Sequence, residues 1–134
     1  MANAAYPTGL AAFAEAAVAW GTDTIKVAAL TDAYTYSAAH EFYTSLAGIL
    51  AEATLAGKSS TSGVLDASDT ALTGLAAGAI NALVVFKWTG SGATSKLLFY
   101  FDTGINFDVD PGGDPTIIWP EAAGVKIFPL GGAA

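Results

Sequence analysis

The sequence has no cysteine and no arginine, and its 134 residues include a single histidine, His40. Without cysteine, neither a disulfide framework nor a thiolate metal site can hold the chain together. Five lysines supply all of the positive charge against twelve acidic residues, which gives a formal net charge of −7. Proteins that neutralise nucleic-acid phosphates need numerous, clustered cationic side chains, so the composition argues against a nucleic-acid partner.

Long unbroken apolar runs are also missing. A membrane-spanning helix needs about 18–20 consecutive apolar residues, but the stretch Leu10–Trp20 is interrupted by Glu15 and followed by Gly21. No basic segment precedes it, so we expect no membrane partner, no secretory signal and synthesis in the cytoplasm. The chain is nevertheless 53% hydrophobic with a mean hydropathy of +0.49. This combination indicates an assembly subunit whose apolar surface is covered by neighbours.

An alanine-rich segment near the N terminus shows helical periodicity. Its larger apolar residues recur at spacings of three, four and three, which places them on one side of a helix: Leu10, Phe13, Ala17 and Trp20. The pattern predicts a short helix over about 8–20, with Gly21 just beyond its C-terminal end.

From Asp23 onward the patterns are those of strands and turns. Residues 23–30 alternate between polar and apolar side chains, which predicts a strand. Two nearly continuous apolar runs, 82–88 and 96–101, flank a Gly/Ser/Thr loop and predict a hairpin of central, buried strands. Ser37 is predicted to cap a helical turn over 37–43. Further extended segments are predicted at 34–36, 49–55, 63–65, 70–73, 116–119 and 125–128.

These segments fit one domain over residues 1–134. The number of strands, about seven or eight, and their spacing predict a mainly β protein, an antiparallel β-sandwich preceded by the N-terminal helix. A jelly roll is the architecture that suits such a count best. A chain of this length buries one core.

The sequence offers little equipment for catalysis. No nucleophile motif stands near any serine, so His40 is expected to be a partly buried or interface residue rather than a catalytic one. The Gly90-Ser91-Gly92 loop lacks the Gly and Lys that follow in phosphate-binding loops. We therefore expect neither an enzyme nor a bound cofactor.

Three aspartates, Asp108, Asp110 and Asp114, crowd around a Pro-Gly-Gly turn. As a calcium loop of the EF-hand type they would occupy ligand positions 1, 3 and 7, but position 12 is Trp119 instead of a bidentate glutamate. The pattern therefore favours a solvated turn between strands, and a calcium site formed by these three residues is kept as the minority alternative.

Large aromatic side chains carry most of the apolar area that this chain can bury. Each can contribute to the core or to an interface with a partner. The candidates for an interface are Tyr34, Tyr36, Phe42, Tyr43, Trp88 and Trp119.

Several segments, taken in their order along the sequence, resemble a widespread group of small virion proteins of tailed bacteriophages. The similarity covers most of the chain and is carried by Tyr6–Leu10, Asp23–Val27, Tyr34–Phe42, Val84–Lys87, Thr94–Leu98, Tyr100–Thr103 and Gly112–Trp119. The alanine-rich stretches around 11–19 and 47–56 depart from the pattern of that group.

The resemblance implies a structural protein of the phage particle, made in the host cytoplasm. A decoration or cement protein on the outer capsid surface is the leading expectation, with the major capsid protein and further copies of itself, as a dimer or trimer, as partners. The acidic charge favours the outer surface over the DNA-facing lumen. Two alternatives stay open: a tail, head-tail connector or fibre-base component, and a carbohydrate-binding jelly-roll module on the virion surface.

Overall fold

A computed structural model of the protein describes residues 4–15, 17–61, 64–68, 70–72, 80–101, 106–109, 115–118 and 128–129. Its helical elements are α1 (Pro7–Ala14) and a 3₁₀ helix (Tyr43–Ser45). The strands are β1 (Ala4–Ala5), β2 (Ile25–Leu30), β3 (Ile49–Thr54), β4 (Ser59–Thr61), β5 (Val64–Asp66), β6 (Thr70–Ala71), β7 (Ala82–Lys87), β8 (Leu97–Phe101), β9 (Asn106–Val109), β10 (Pro115–Ile118) and β11 (Phe128–Pro129).

The largest sheet is antiparallel and has the order β1-β8-β7-β2-β3. β2 pairs with β7 over its whole length, from Ile25 opposite Lys87 to Leu30 opposite Ala82. The predicted hairpin of β7 and β8 is confirmed, as are the strands predicted at 23–30 and 49–55. All residues of β8, and all of β7 except its last, are buried, so both strands are central as their apolar runs indicate.

Side chains of this sheet alternate between two buried faces. Face 1 carries Val27 of β2, Val85 of β7 and Phe99 of β8, which are cross-strand neighbours. Face 2 carries Ala28, Val84 and Tyr100, which are neighbours in the next row. The sheet therefore separates two apolar clusters.

Two register shifts alter the alternation, each by one extra residue on one strand. Opposite β7, the pairing passes from Leu97 to Phe99, so that Leu98 is unpaired and joins Phe99 on face 1. Opposite β2, it passes from Ile49 to Ala51, and Leu50 joins face 1 in the same way. Such bulges place two successive side chains on one side of a sheet. Both therefore enlarge the apolar surface of face 1.

Face 1 is covered by the N-terminal segment. Ala12 of α1, Val18 and Trp20 are buried in its cluster, and the Trp20 ring lies edge-on to Phe99 at 6.5 Å between centroids. The predicted helix over 8–20 is wrong in its second half, because α1 ends at Ala14. Because the backbone leaves the helix after Ala14, both Val18 and Trp20 can pack on the sheet. The Ala19 N–H in this segment donates a hydrogen bond to Asp23 Oδ2 at 2.7 Å.

Face 2 is covered by an irregular segment, residues 31–48, that we call the strap. It connects β2 to β3, and its backbone closes where the Thr31 N–H donates to the Gly48 carbonyl at 2.9 Å. The turn predicted over 37–43 is confirmed only in its first half: Ser37 Oγ accepts a hydrogen bond from the Ala39 N–H at 3.2 Å, and the turn ends at His40. Phe42 is extended, and the 3₁₀ helix follows at Tyr43–Ser45. Residues 34–36 lie in the strap and belong to no strand.

Two smaller antiparallel sheets have the orders β6-β10-β9 and β11-β5-β4. Among the described residues, the chain is thus mainly β, with an antiparallel sheet and one short α-helix, as the sequence predicts. No helix in this part of the protein combines the length and the apolar character needed to cross a bilayer.

Candidate interaction surface

A group of tyrosines, here called the tyrosine cluster, joins the strap to the sheet. Tyr6 is fully buried and its hydroxyl lies 2.7 Å from that of Tyr34, which is 4% exposed. The Tyr34 hydroxyl in turn lies 2.8 Å from Nδ1 of half-buried His40. Tyr36 and Tyr100 complete the cluster, with ring centroids 5.2 Å apart. Phenol hydroxyls both donate and accept hydrogen bonds. The series of hydrogen bonds from Tyr6 through Tyr34 to His40 therefore gives the buried polar atoms partners inside an apolar layer.

Burial controls the ionisation of these phenols. Removal from water raises the pKa of Tyr6 far above its ordinary value, and the hydrogen bond to Tyr34 raises it further. Burial also raises the pKa values of Tyr34 and Tyr36. For Tyr43, burial followed by the hydrogen bond that its hydroxyl donates to Glu52 Oε2 raises the pKa to about 12. All four phenols therefore favour the neutral form in the folded protein.

We expect the protein to lose stability at alkaline pH because of these phenols. In the unfolded chain tyrosine ionises near pH 10, whereas folding holds the four phenols protonated. The stabilisation is complete below about pH 10 and falls as pH rises toward and through the raised folded-state values, which for Tyr43 is about 12. Denaturant titrations at a series of pH values, together with the ultraviolet absorbance of tyrosinate, measure both effects.

The Tyr43→Phe variant is the control for the alkaline experiment. It keeps the ring but removes one ionisable group, so its stability should fall less steeply with pH. Native phenols that all titrated near pH 10, with no loss of stability, would contradict the assignment.

A second aromatic group lies at the other end of face 2. The Tyr43 ring stands edge-on to Trp88 at 5.6 Å and packs on Phe86 at 5.0 Å between centroids. The Lys26 ammonium lies 5.1 Å from the centre of the Trp88 ring, a cation–π contact. The carboxylate of Glu52 accepts the Tyr43 hydroxyl. We call this half-buried surface, Lys26, Tyr43, Glu52 and Trp88, the Trp88 patch.

Strand register explains why these residues meet. Lys26 lies opposite Phe86 on one side and Thr54 on the other, so its side chain shares face 2 with both. Glu52 lies opposite Ala28 on the same face. Trp88 continues β7 by donating its backbone N–H to the Thr24 carbonyl at 2.9 Å. A cation, a carboxylate and an aromatic pair thus lie together on face 2 at one end of the sheet.

The outer side of β8 carries another set of contacts. Phe42 forms an antiparallel bridge with Lys96, and the Tyr43 N–H donates to the Ser95 carbonyl at 2.8 Å. The Lys96 ammonium lies 2.5 Å from Glu41 Oε2 and 5.2 Å from the centre of the Phe42 ring. β1 pairs with the other end of β8. Phe42 and β1 thus give the outer edge of β8 hydrogen-bonding partners from the same chain. Such partners protect an edge strand from pairing with strands of other molecules.

All lysines in the described part of the chain contact groups of their own chain. Lys87 lies 3.2 Å from Asp23 Oδ2 and donates to the Ala17 carbonyl at 2.7 Å. The hydrogen bond from the Ala19 N–H and this lysine hold the pKa of the Asp23 carboxyl below its usual range. Lys58 donates to the Asp23 carbonyl at 2.6 Å. With Lys26 over Trp88 and Lys96 against Glu41, each of these four lysines has a contact within its own chain.

The structure divides the aromatic interface candidates. Tyr34 lies in the core, whereas Tyr36, Phe42, Tyr43 and Trp88 are half-buried. Trp119 lies outside the described residues, and so do Asp110 and Asp114. Asp108 is in β9, where its backbone lies opposite Thr116. Among the residues that the structure describes, no three histidine, aspartate or glutamate side chains come together as metal ligands.

Sequence reasoning missed several residues of this surface. Tyr6 has no periodic or motif signal that predicts a buried hydroxyl, yet it anchors the tyrosine cluster. The alternation of residues 23–30 places Lys26 away from Ile25 and Val27, which is a usable signal. That Lys26 meets Trp88, and that Glu52 meets Tyr43, depends on cross-strand register and on the path of the strap.

Searches with the chain against protein-family models, curated proteins and solved structures returned no match.

Proposed function

We propose that this chain is a structural protein of a tailed-bacteriophage particle. In this proposal it is a non-enzymatic decoration protein on the outer capsid surface, where it binds the major capsid protein and further copies of itself and stabilises the shell. The proposal includes a two-sheet, jelly-roll-like sandwich of about seven or eight strands for the complete domain.

The observation that carries the proposal is how the segments of the resemblance come together. Asp23–Val27 leads into β2, Val84–Lys87 belongs to β7, and Thr94–Leu98 enters β8. These three strands are neighbours in the sheet, and Tyr34–Phe42 lies in the strap over face 2. Segments that are scattered along the sequence thus form one packed unit. This arrangement supports the proposal, because segments that a family shares are expected to include its structural core.

Charge gives the proposal a second support. The net charge is −7, and the four lysines of the described part are already in contact with their own chain. This net negative charge gives the chain an acidic field, which suits a position away from packaged DNA and a partner surface that carries cationic side chains.

Half-buried aromatic residues supply the apolar part of such contacts. Tyr36 and Phe42 are partly accessible on the strap, and interface cores are enriched in aromatic side chains. Tyr34, which is buried in the tyrosine cluster, is assigned to the core in this proposal.

The test is binding to shells. The purified chain, added to expanded capsids that lack it, should co-sediment with them and raise the temperature at which the shells break open. Phe42→Ala should weaken binding, whereas Ala93→Ser, a small change in the exposed β7–β8 loop, should not. Absence of binding, together with electron-microscopy density for the chain on the tail or connector, would replace the capsid assignment with the tail alternative.

A further inference from the structure

We propose that the Trp88 patch is the surface through which two copies of this chain bind each other about a twofold axis. The inference deepens the proposed function, on which it rests for its biological setting, by naming the contact between copies. The surface itself is defined by Lys26, Tyr43, Glu52 and Trp88, all of them half-buried on face 2.

The order of groups across the patch makes it complementary to itself. The Lys26 ammonium lies over the Trp88 ring, Trp88 contacts Tyr43, and the Tyr43 hydroxyl donates to the Glu52 carboxylate. A twofold axis through the aromatic pair would bring the cation of each copy to the carboxylate of the other. Twofold contacts use the same patch on both subunits, so this arrangement of opposite charges is the one that they require.

The net charge favours this place over others for a homotypic contact. Two copies that each carry a charge of −7 repel one another in most orientations. Within the Trp88 patch one lysine balances one glutamate, and two aromatic rings supply the apolar centre. Aromatic residues at the centre of an interface with charged groups at the rim are typical of protein contacts.

The backbone around the patch also permits close approach. Thr54, opposite Lys26, is exposed at the end of the edge strand β3 and shares face 2 with Lys26 and Glu52. No described strand pairs with the outer side of β3. A second copy at this edge would therefore meet Lys26 and Glu52 without breaking the backbone pairing of a described strand.

Sedimentation equilibrium of the purified full chain, without capsids, tests the inference. The wild-type chain is expected to show a concentration-dependent dimer. Lys26→Glu and Glu52→Lys should each raise the dimer dissociation constant by about tenfold or more, since each places like charges face to face at both symmetric contacts. The double variant Lys26→Glu/Glu52→Lys restores opposite charges and should return the dissociation constant to within a few-fold of wild type.

The two single variants form an internal control, because they change the net charge in opposite directions. If general repulsion between acidic chains controlled association, Glu52→Lys would tighten the dimer and Lys26→Glu would weaken it, which would overturn the proposal. A monomeric wild-type chain, or a double variant that stays dissociated while its circular dichroism is native, would overturn it as well. Because this experiment contains no capsids, its failure would leave the proposed binding to the shell untouched. That binding is tested separately by co-sedimentation with capsids.

Discussion

The Phe86→Ala variant is expected to lose about 3–5 kcal/mol of its free energy of unfolding. Phe86 is fully buried on face 2, where its ring packs on Tyr43 and its centroid lies 6.3 Å from that of Trp88. Truncating a buried phenylalanine removes its transfer free energy and leaves a cavity, with a typical cost in this range. Domains of this size have a total stability of about 5–15 kcal/mol, so the loss could leave the variant barely folded. Denaturant unfolding of both proteins at neutral pH measures it.

Phe42→Ala provides the matched control, since it deletes the same side chain at a half-buried site. Its ring contacts Lys96 at the edge of β8 and is absent from both buried clusters. We expect a loss of about 1 kcal/mol, a typical cost for a single substitution. Equal losses in the two variants would mean that face 2 is not the closed apolar layer described above.

The central strands could be predicted from the sequence because their apolar runs admit few other interpretations. β7 and β8 are buried on both faces, and their hairpin loop has the composition of a turn. The alternation that predicts β2 likewise assigns Lys26 to the opposite side from Val27, as the register confirms. In these elements, local pattern and tertiary burial favour the same structure, so local reasoning suffices.

The N-terminal helix shows where local pattern fails. Spacing of apolar residues continues to Trp20, and alanine favours helix, but α1 stops at Ala14. The free energy gained by burying Val18 and Trp20 on face 1 depends on the distance to the sheet, which no local pattern contains. The bulges at Leu50 and Leu98 could not be predicted from the sequence either, because a bulge is defined by the register with the partner strand.

The candidate surface required the structure for a related reason. Its aromatic residues could be named from the sequence, but whether each is core or accessible depends on the path of the strap. Tyr34 turns inward to Tyr6, whereas Tyr43 lies over Phe86 and reaches Glu52. An irregular segment has no period from which these directions could be read.

Gly9 gives the second large effect, because α1 crosses β8 with almost no space between the backbones. A Cβ atom at Gly9 would lie 2.5 Å from the Leu97 carbonyl oxygen and 2.9 Å from the Leu98 Cα. Both atoms belong to the backbone of a buried strand, so they cannot move aside as the end of a side chain could. The bulge that turns Leu98 toward face 1 lies at this same contact.

The Gly9→Ala variant is therefore expected to be destabilised by about 1–3 kcal/mol, the usual cost of overpacking. Helix propensity alone predicts the reverse, since alanine in a helix interior is favoured over glycine by about 1 kcal/mol. The sign of the measured change thus separates the close helix–strand contact from local preference.

Gly21→Ala is the matched control, because no atom lies within 4 Å of the position where its Cβ would be built. There the substitution mainly restricts the unfolded chain, so stability should stay equal or rise by up to about 1 kcal/mol. Thermal and denaturant unfolding should therefore show a loss of stability in Gly9→Ala and none in Gly21→Ala. A Gly9→Ala protein as stable as Gly21→Ala would show that α1 does not lie against β8 at this distance, and that face 1 is closed in some other way.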